Sequence, residues 1–289
     1  MLHSGRTNWR YIPRSSSQNQ SRRASLTTFP IHEPSHSFVS NMSLKLLLTT
    51  LVSMASATQI FSNRGTLTGW GGQQTEHKGT LSTTSSVFFD QPPSIVAEQT
   101  YDPSYTGRYH SEVRVLNAYQ HGQTRFYGFA FRLPDNWQFD PAQSYDISQF
   151  IAAFHNGCDD SMPSTMFWLE GRKLNTRLKT GSVCAQKTRK IPLPVTVTAG
   201  QWHKIVMEVK WTPDNSGRFK VWYDDQMVVN EQNVATTVKE NAAFQFRVGL
   251  YANGWHDDKT MKGTQGVRKV FFDKIAIATT KNEADPSKW

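Results

Sequence analysis

The sequence predicts an all-β fold, a two-sheet antiparallel sandwich of the jelly-roll type, on three observations. From residue 58 onward, short runs of alternating apolar and polar residues follow one another, separated by Gly, Pro, Asn and Asp. No long stretch carries the 3.6-residue apolar period of an amphipathic helix. The 232 residues from 58 to 289 suit one sandwich domain.

Residues 1–41 are rich in Ser, Arg, Asn and Pro and have no apolar periodicity, so they read as a disordered extension or a gene-model artefact. Residues 42–57 combine Lys45, an apolar run from Leu46 to Val52 and an Ala55-Ser56-Ala57 cleavage site, the layout of a secretory signal peptide. A single β domain is expected over 58–289. Its strands are read at "RYHSEVR" (108–114), "TRFYGFAFRLP" (124–134), "DISQFIAAFHNG" (146–157) and "STMFWLEG" (164–171). "QWHKIVMEVKW" (201–211), "GRFKVWYDD" (217–225), "AFQFRVGLYAN" (243–253) and "VRKVFFDKIAIAT" (267–279) complete the series. Turns are marked by Pro213-Asp214-Asn215-Ser216-Gly217 and by Asp224-Asp225.

The formal net charge is +9, but six of the 32 basic and one of the 23 acidic residues precede residue 58, leaving +4 on the domain. That weakens a nucleic-acid reading and suits a polyanionic substrate. Beyond the leader no apolar stretch is long enough to span a bilayer, so no membrane partner is expected. Secretion predicts that the two cysteines, Cys158 and Cys184, form a disulfide. A monomer is expected.

Alternation sorts three strands into an apolar and a chemically equipped face. Arg108, His110, Glu112 and Arg114 share one side. Gln149, Ile151, Ala153 and His155 oppose Phe150, Ala152 and Phe154. Gln245, Arg247, Gly249, Tyr251 and Asn253 oppose Phe244, Phe246, Val248 and Leu250. A solvated face more often carries Thr, Ser, Lys and Glu; His, Gln, Arg and Tyr position anions and move protons. A jelly roll gathers such faces into one groove. The 170–181 hairpin adds Lys173, Asn175, Arg177 and Lys179 on one side as a rail for an acidic chain, and Trp168 shares the polar parity of its strand, where it can stack on a sugar or pack.

The strand–turn–strand run from 200 to 229 resembles the hairpin of concanavalin-like jelly rolls. "HSEVR" (110–114) resembles the R-[ST]-E-x-R strand of jelly-roll polysaccharide lyases, the alginate lyases among them, with histidine leading. "FRVGLYAN" (246–253) resembles their Y-F-K-A-G-x-Y-N-Q strand, and "SQFIAAFHNG" keeps a Gln and a His, spaced six apart instead of two. With the leading histidine, the length and the secretory leader, the chain looks most like the fungal glucuronan lyases, which cut β-1,4-linked polyglucuronate by β-elimination. The resemblance implies a reaction centre of His110, Gln149 and Tyr251; the polar faces and the hairpin rail add Arg108, Arg114, His155, Trp168, Arg177, Arg247 and Asn253 as expected substrate-binding residues. It implies no catalytic cofactor, and a structural calcium on the convex side with Asp273 as its ligand.

In that chemistry a base removes the proton on C5, α to the carboxylate, and an acid protonates the departing O4. Gln149 and an arginine would hold the carboxylate as charge builds. Tyr251 is assigned as proton donor to O4, or as both acid and base if the elimination is syn, with Arg247 placed to lower it; His110 can serve as base, and the split between the two stays open. Glu112 reads as an orienting partner for Arg108 or Arg114. A non-catalytic carbohydrate-binding protein and a lyase for another polyuronate such as alginate are the alternatives. A retaining hydrolase needs two carboxyl groups about 5 to 5.5 Å apart, and its E-x-D-x-[x]-E strand is absent from the sequence.

Overall fold

The computed structural model describes residues 58–154, 158 and 161–289, so the extension, the signal peptide and His155 lie outside the described residues. The first strands in chain order are β1 (Gln59–Asn63), β2 (Gly72–Thr75), β3 (Thr80–Thr84), β4 (Ser94–Thr100), β5 (His110–Val115), β6 (Thr124–Arg132), β7 (Ser144–Ala153) and β8 (Ser161–Glu170). They are followed by β9 (Lys173–Ser182), β10 (Ala185–Thr196), β11 (Trp202–Lys210), β12 (Gly217–Tyr223), β13 (Gln226–Val234) and β14 (Gln245–Tyr251). The last elements are α1 (Asn253–Asp257), β15 (Val267–Ala278) and α2 (Lys281–Ala284).

Among the described residues these strands form two antiparallel sheets. One has eight strands in the order β13-β12-β11-β6-β15-β4-β3, with β1 also pairing with β15; the other has seven, in the order β10-β9-β8-β7-β14-β5-β2. The expected sandwich is therefore present. Alternation builds its core: Tyr127, Phe129 and Phe131 of β6 face Phe150 of β7 and Phe246, Val248 and Leu250 of β14, all buried. Burying each such aromatic ring contributes about 2 kcal/mol. Trp211 stacks on Tyr119 at 3.7 Å and its indole N–H donates to the Tyr127 hydroxyl at 2.9 Å, so the one polar atom the indole brings inside is satisfied. Gly128, outward on β6, is required because the Ala284 carbonyl of α2 packs where a Cβ would stand.

The hairpin between β12 and β13 turns at Asp224 and Asp225, both at positive φ, as a two-residue turn of the right twist demands. Cys158 and Cys184 are disulfide-bonded with Cα atoms 5.2 Å apart, tying the β7–β8 connection to the β9–β10 turn.

Two boundaries depart from the sequence reading. β5 starts at His110, leaving Arg108 in the preceding segment. The strand read as 243–253 stops at Tyr251, and Asn253 opens α1 instead. The chain turns there to bury Trp255 edge-on against Tyr101 and Tyr109, at 5.4 and 5.1 Å between ring centres. No described helix is long and apolar enough to cross a membrane.

Candidate functional site

The seven-stranded sheet turns its outward face to a cleft of about 440 Å³. Strand register brings the polar residues of separate segments into rows across it. Tyr251 of β14 stands opposite His110 of β5 on one side and Asp146 of β7 on the other. Arg247 stands likewise between Arg114 and Gln149, and the row runs on through Met166 to Arg177. His110, Gln149, Tyr251, Arg108 and Arg247 all line the cleft, with Gln74 and Glu76 at one end and Ile151, Ser161 and Pro163 at the other.

Glu112 ties these groups together from beneath. Its carboxylate is 1% exposed and accepts from His110 Nδ1 at 2.7 Å, from Gln149 Nε2 at 2.7 and 3.0 Å, and from Arg247 Nη1 at 3.3 Å. Gln149 reaches it from two strands away, across β14 at Gly249, the residue paired with Glu112, which puts no side chain in the path. Burial alone would raise the Glu112 carboxyl. The His110 charge and hydrogen bond, the Arg247 charge and the Gln149 amide outweigh it and hold the group at about 2. The expected pairing of Glu112 with Arg108 or Arg114 is thus corrected: those arginines flank it in sequence, but the residues packed over its carboxylate come from its own strand, from β14 beside it and from β7 beyond.

This arrangement fixes the tautomer of His110. An ionised carboxylate only accepts, so Nδ1 carries the hydrogen and Nε2 of the neutral ring has a free lone pair. Gln149 is fixed too: the two carboxylate oxygens are closer together than the splay of the amide hydrogens, so one N–H serves both and the other is left for a ligand.

Tyr251 stacks on His110, with ring centres 3.9 Å apart and planes 21° from parallel. Its hydroxyl accepts from Arg108 Nη1 at 2.8 Å. Burial raises the phenol well above its ordinary value, with Arg108 opposing and Asp257 and Asp146 adding to the rise. The cation beside Tyr251 is Arg108 and not Arg247 as the spacing predicts. Arg247 is drawn the other way, to Glu112, to Gln74 Oε1 at 2.6 Å and to Gln245 Oε1 at 3.0 Å.

The remaining expected residues divide. Arg114 lies on the cleft face, packed against Gly72. Arg177 donates to the Pro163 carbonyl at 3.1 Å, and Lys173, Asn175, Arg177 and Lys179 keep the common face expected of the rail. Trp168 is 9% exposed, with the Lys190 ammonium 5.3 Å from the ring centre, and is not among the cleft-lining residues. Asn253 donates to Ser144 Oγ at 2.9 Å and does not line the cleft, because the strand has already ended. Asp146, Gln74 and Glu76 were not read as site residues. Asp146 is buried with no hydrogen bond to either carboxyl oxygen, and burial raises it well above the usual carboxylate range. Gly72, Gln74 and Glu76 alternate in "GQQTE", a polar strand signal too short to stand out.

Asp273, the residue expected as a calcium ligand, is buried on β15. Its two oxygens accept from the backbone N–H groups of Phe89 and Lys274 at 2.9 and 2.7 Å. The Lys274 ammonium beside it is held by Asp90 at 2.8 Å and by the Trp289 carbonyl, so a fixed cation already balances the local charge. Among the described residues no three His, Cys, Asp or Glu side chains gather as a metal site.

The sequence profile of the polysaccharide lyase family matches residues 62–276. The crystal structure of endo-beta-1,4-glucuronan lyase from the fungus Trichoderma reesei is 48% identical, covering 80% of this chain and 100% of that one with a TM-score of 0.79. A PL-14 alginate lyase from Aplysia kurodai, 10% identical, covers 76% of this chain and 99% of its own with a TM-score of 0.51, and shares the fold. No curated protein sequence matches. With the profile spanning most of the domain and a lyase 48% identical in sequence covered from end to end, the chain belongs to the polysaccharide lyase family.

Proposed function

We propose that the protein is a secreted lyase that cleaves β-1,4-linked polyglucuronate by β-elimination, leaving an unsaturated uronate end. The observation that carries this reading is the stacked pair of His110 and Tyr251 beside the Gln149 amide, all held over ionised Glu112. The identity to the Trichoderma reesei enzyme supports the choice of polymer. The sequence of a secretory leader and the disulfide support an extracellular site of action.

The roles follow from proton inventory. A phenol raised above its ordinary value keeps its proton at neutral pH, which suits Tyr251 to donate to the departing O4 and not to act as base. His110, with Nε2 free, takes the C5 proton, and Glu112 steadies the imidazolium that forms. Gln149 and Arg247 bind the substrate carboxylate, whose charge builds as the proton leaves; one such donor contributes about 3 kcal/mol to transition-state stabilisation. In a 1,4-linked glucuronate the C5 hydrogen and O4 lie on the same side of the ring, so acid and base standing side by side suit the reaction.

A carbohydrate-binding protein would need the cleft but no such proton-transfer pair. A retaining hydrolase would need two carboxyl groups facing the substrate, whereas Glu112 is buried and fully bonded and, among the described residues, Glu76 is the one carboxylate lining the cleft. The test is production of the unsaturated uronate chromophore from polyglucuronate, lost in His110→Ala and Tyr251→Phe. Tight binding by the wild type without turnover would contradict the lyase reading.

A further inference from the structure

A cleft made for a polyanion has little reason to keep a carboxylate in its wall, yet Glu76 lines it beside Gln74. The hydrogen-bond order around Glu76 is fixed without ambiguity. Arg247 only donates, so the Gln74 oxygen faces it at 2.6 Å, and the Gln74 amide nitrogen must face the other way. That nitrogen donates to Glu76 Oε1 at 2.9 Å. The Glu76 backbone N–H in turn donates to the His110 carbonyl at 2.9 Å, which pins the residue beside the imidazole. A chain from Glu112 through Arg247 and Gln74 therefore holds one carboxylate oxygen of Glu76 and leaves the other to the cleft.

The other polar side chains of the cleft are rich in donors. Arg108 and Arg247 only donate, the one oxygen of Gln74 is taken by Arg247, and the acceptors left on Gln149 and His110 are neutral, so Glu76 is the one charged acceptor among the described lining residues. A sugar ring offers hydroxyl hydrogens as well as a carboxylate, and those hydrogens need acceptors. We infer that Glu76 is a specificity-determining residue that accepts a hydrogen bond from a ring hydroxyl of the bound uronate, turning the hydroxyl edge of the sugar toward β2 and its carboxylate toward Gln149 and Arg247. A hydroxyl bonded to a carboxylate is a charge-assisted contact, strong enough to offset the repulsion between Glu76 and the substrate's own charge. The inference rests on the polyuronate reading above.

Glu76→Gln tests it. Gln74 still presents its amide nitrogen, so the variant's oxygen stays bound there and an NH2 group replaces the acceptor in the cleft. Glu76 is half-buried at the end of a short edge strand, so the core is untouched and the melting curve is expected to stay in place. The measurements are kcat and KM on polyglucuronate and the dissociation constant of a glucuronate oligosaccharide, for wild type and variant. The expected result is a rise of about tenfold in KM and in the dissociation constant, with a smaller change in kcat. Were Glu76 only a counter-charge for Arg108, removing its charge would tighten binding of the polyanion, and tighter or unchanged binding overturns the inference. If the wild type binds but does not cleave, the lyase reading fails while the two dissociation constants still decide the role of Glu76.

Discussion

His110 and Gln149 share one buried carboxylate: the imidazole Nδ1 lies 2.7 Å from Glu112 Oε2 and the amide Nε2 lies 2.7 Å from Glu112 Oε1. The group proposed to take the proton and the group proposed to hold the resulting charge are therefore positioned by the same side chain. Glu112→Gln is expected to lower kcat by about a hundredfold, because the neutral amide no longer favours the imidazolium or fixes the tautomer. Steady-state kinetics on polyglucuronate checks this, and a kcat within twofold of wild type would contradict it.

The same variant carries a stability cost. Removing the charge leaves Arg247 and His110 without their buried anionic partner, a change worth about 3 kcal/mol. The pH dependence has a definite sign. The Glu112 carboxyl is depressed from 4.5 to about 2 in the folded state, so its contribution is fully present above pH 4.5 and is lost as pH falls toward 2. Thermal melts across that window are expected to show the wild-type advantage over Glu112→Gln shrinking with acidification.

Arg108 and Arg247 separate by mechanism. Arg108 opposes the rise of the Tyr251 phenol, so Arg108→Ala is expected to displace the alkaline limb of the kcat profile to higher pH and to cut kcat by about tenfold. Arg247→Ala removes a contact to Glu112 and to the substrate carboxylate and is expected to raise KM as well as lower kcat, with the alkaline limb in place.

The disulfide is a lever on stability. It spans 26 residues in sequence, and its removal in a Cys158→Ser, Cys184→Ser double variant is expected to cost about 3 kcal/mol.

Much of the fold was legible because alternation is a local property. The inward parity of Tyr127, Phe129 and Phe131 or of Phe246, Val248 and Leu250 follows from neighbours in sequence. Register is not local. The pairing of Tyr251 with His110 spans 141 positions, and nothing in either strand announces which residue will stand opposite. This is why the polar faces could be read but the partners of Glu112, and the exchange of roles between Arg108 and Arg247, could not. Asn253 was misplaced for another reason: burial of Trp255, a tertiary demand, ended the strand two residues early. Gln74 and Glu76 went unread because a four-residue edge strand gives alternation too few positions to register.

The most direct test is to incubate residues 58–289 with polyglucuronate, alginate and pectate in turn and follow the ultraviolet absorbance of the C4–C5 unsaturated uronate. The expected result is a rise on polyglucuronate that falls by about a hundredfold or more in His110→Ala and in Tyr251→Phe. No rise on polyglucuronate, or a rise that both variants retain, would contradict the assignment of this cleft as a lyase site.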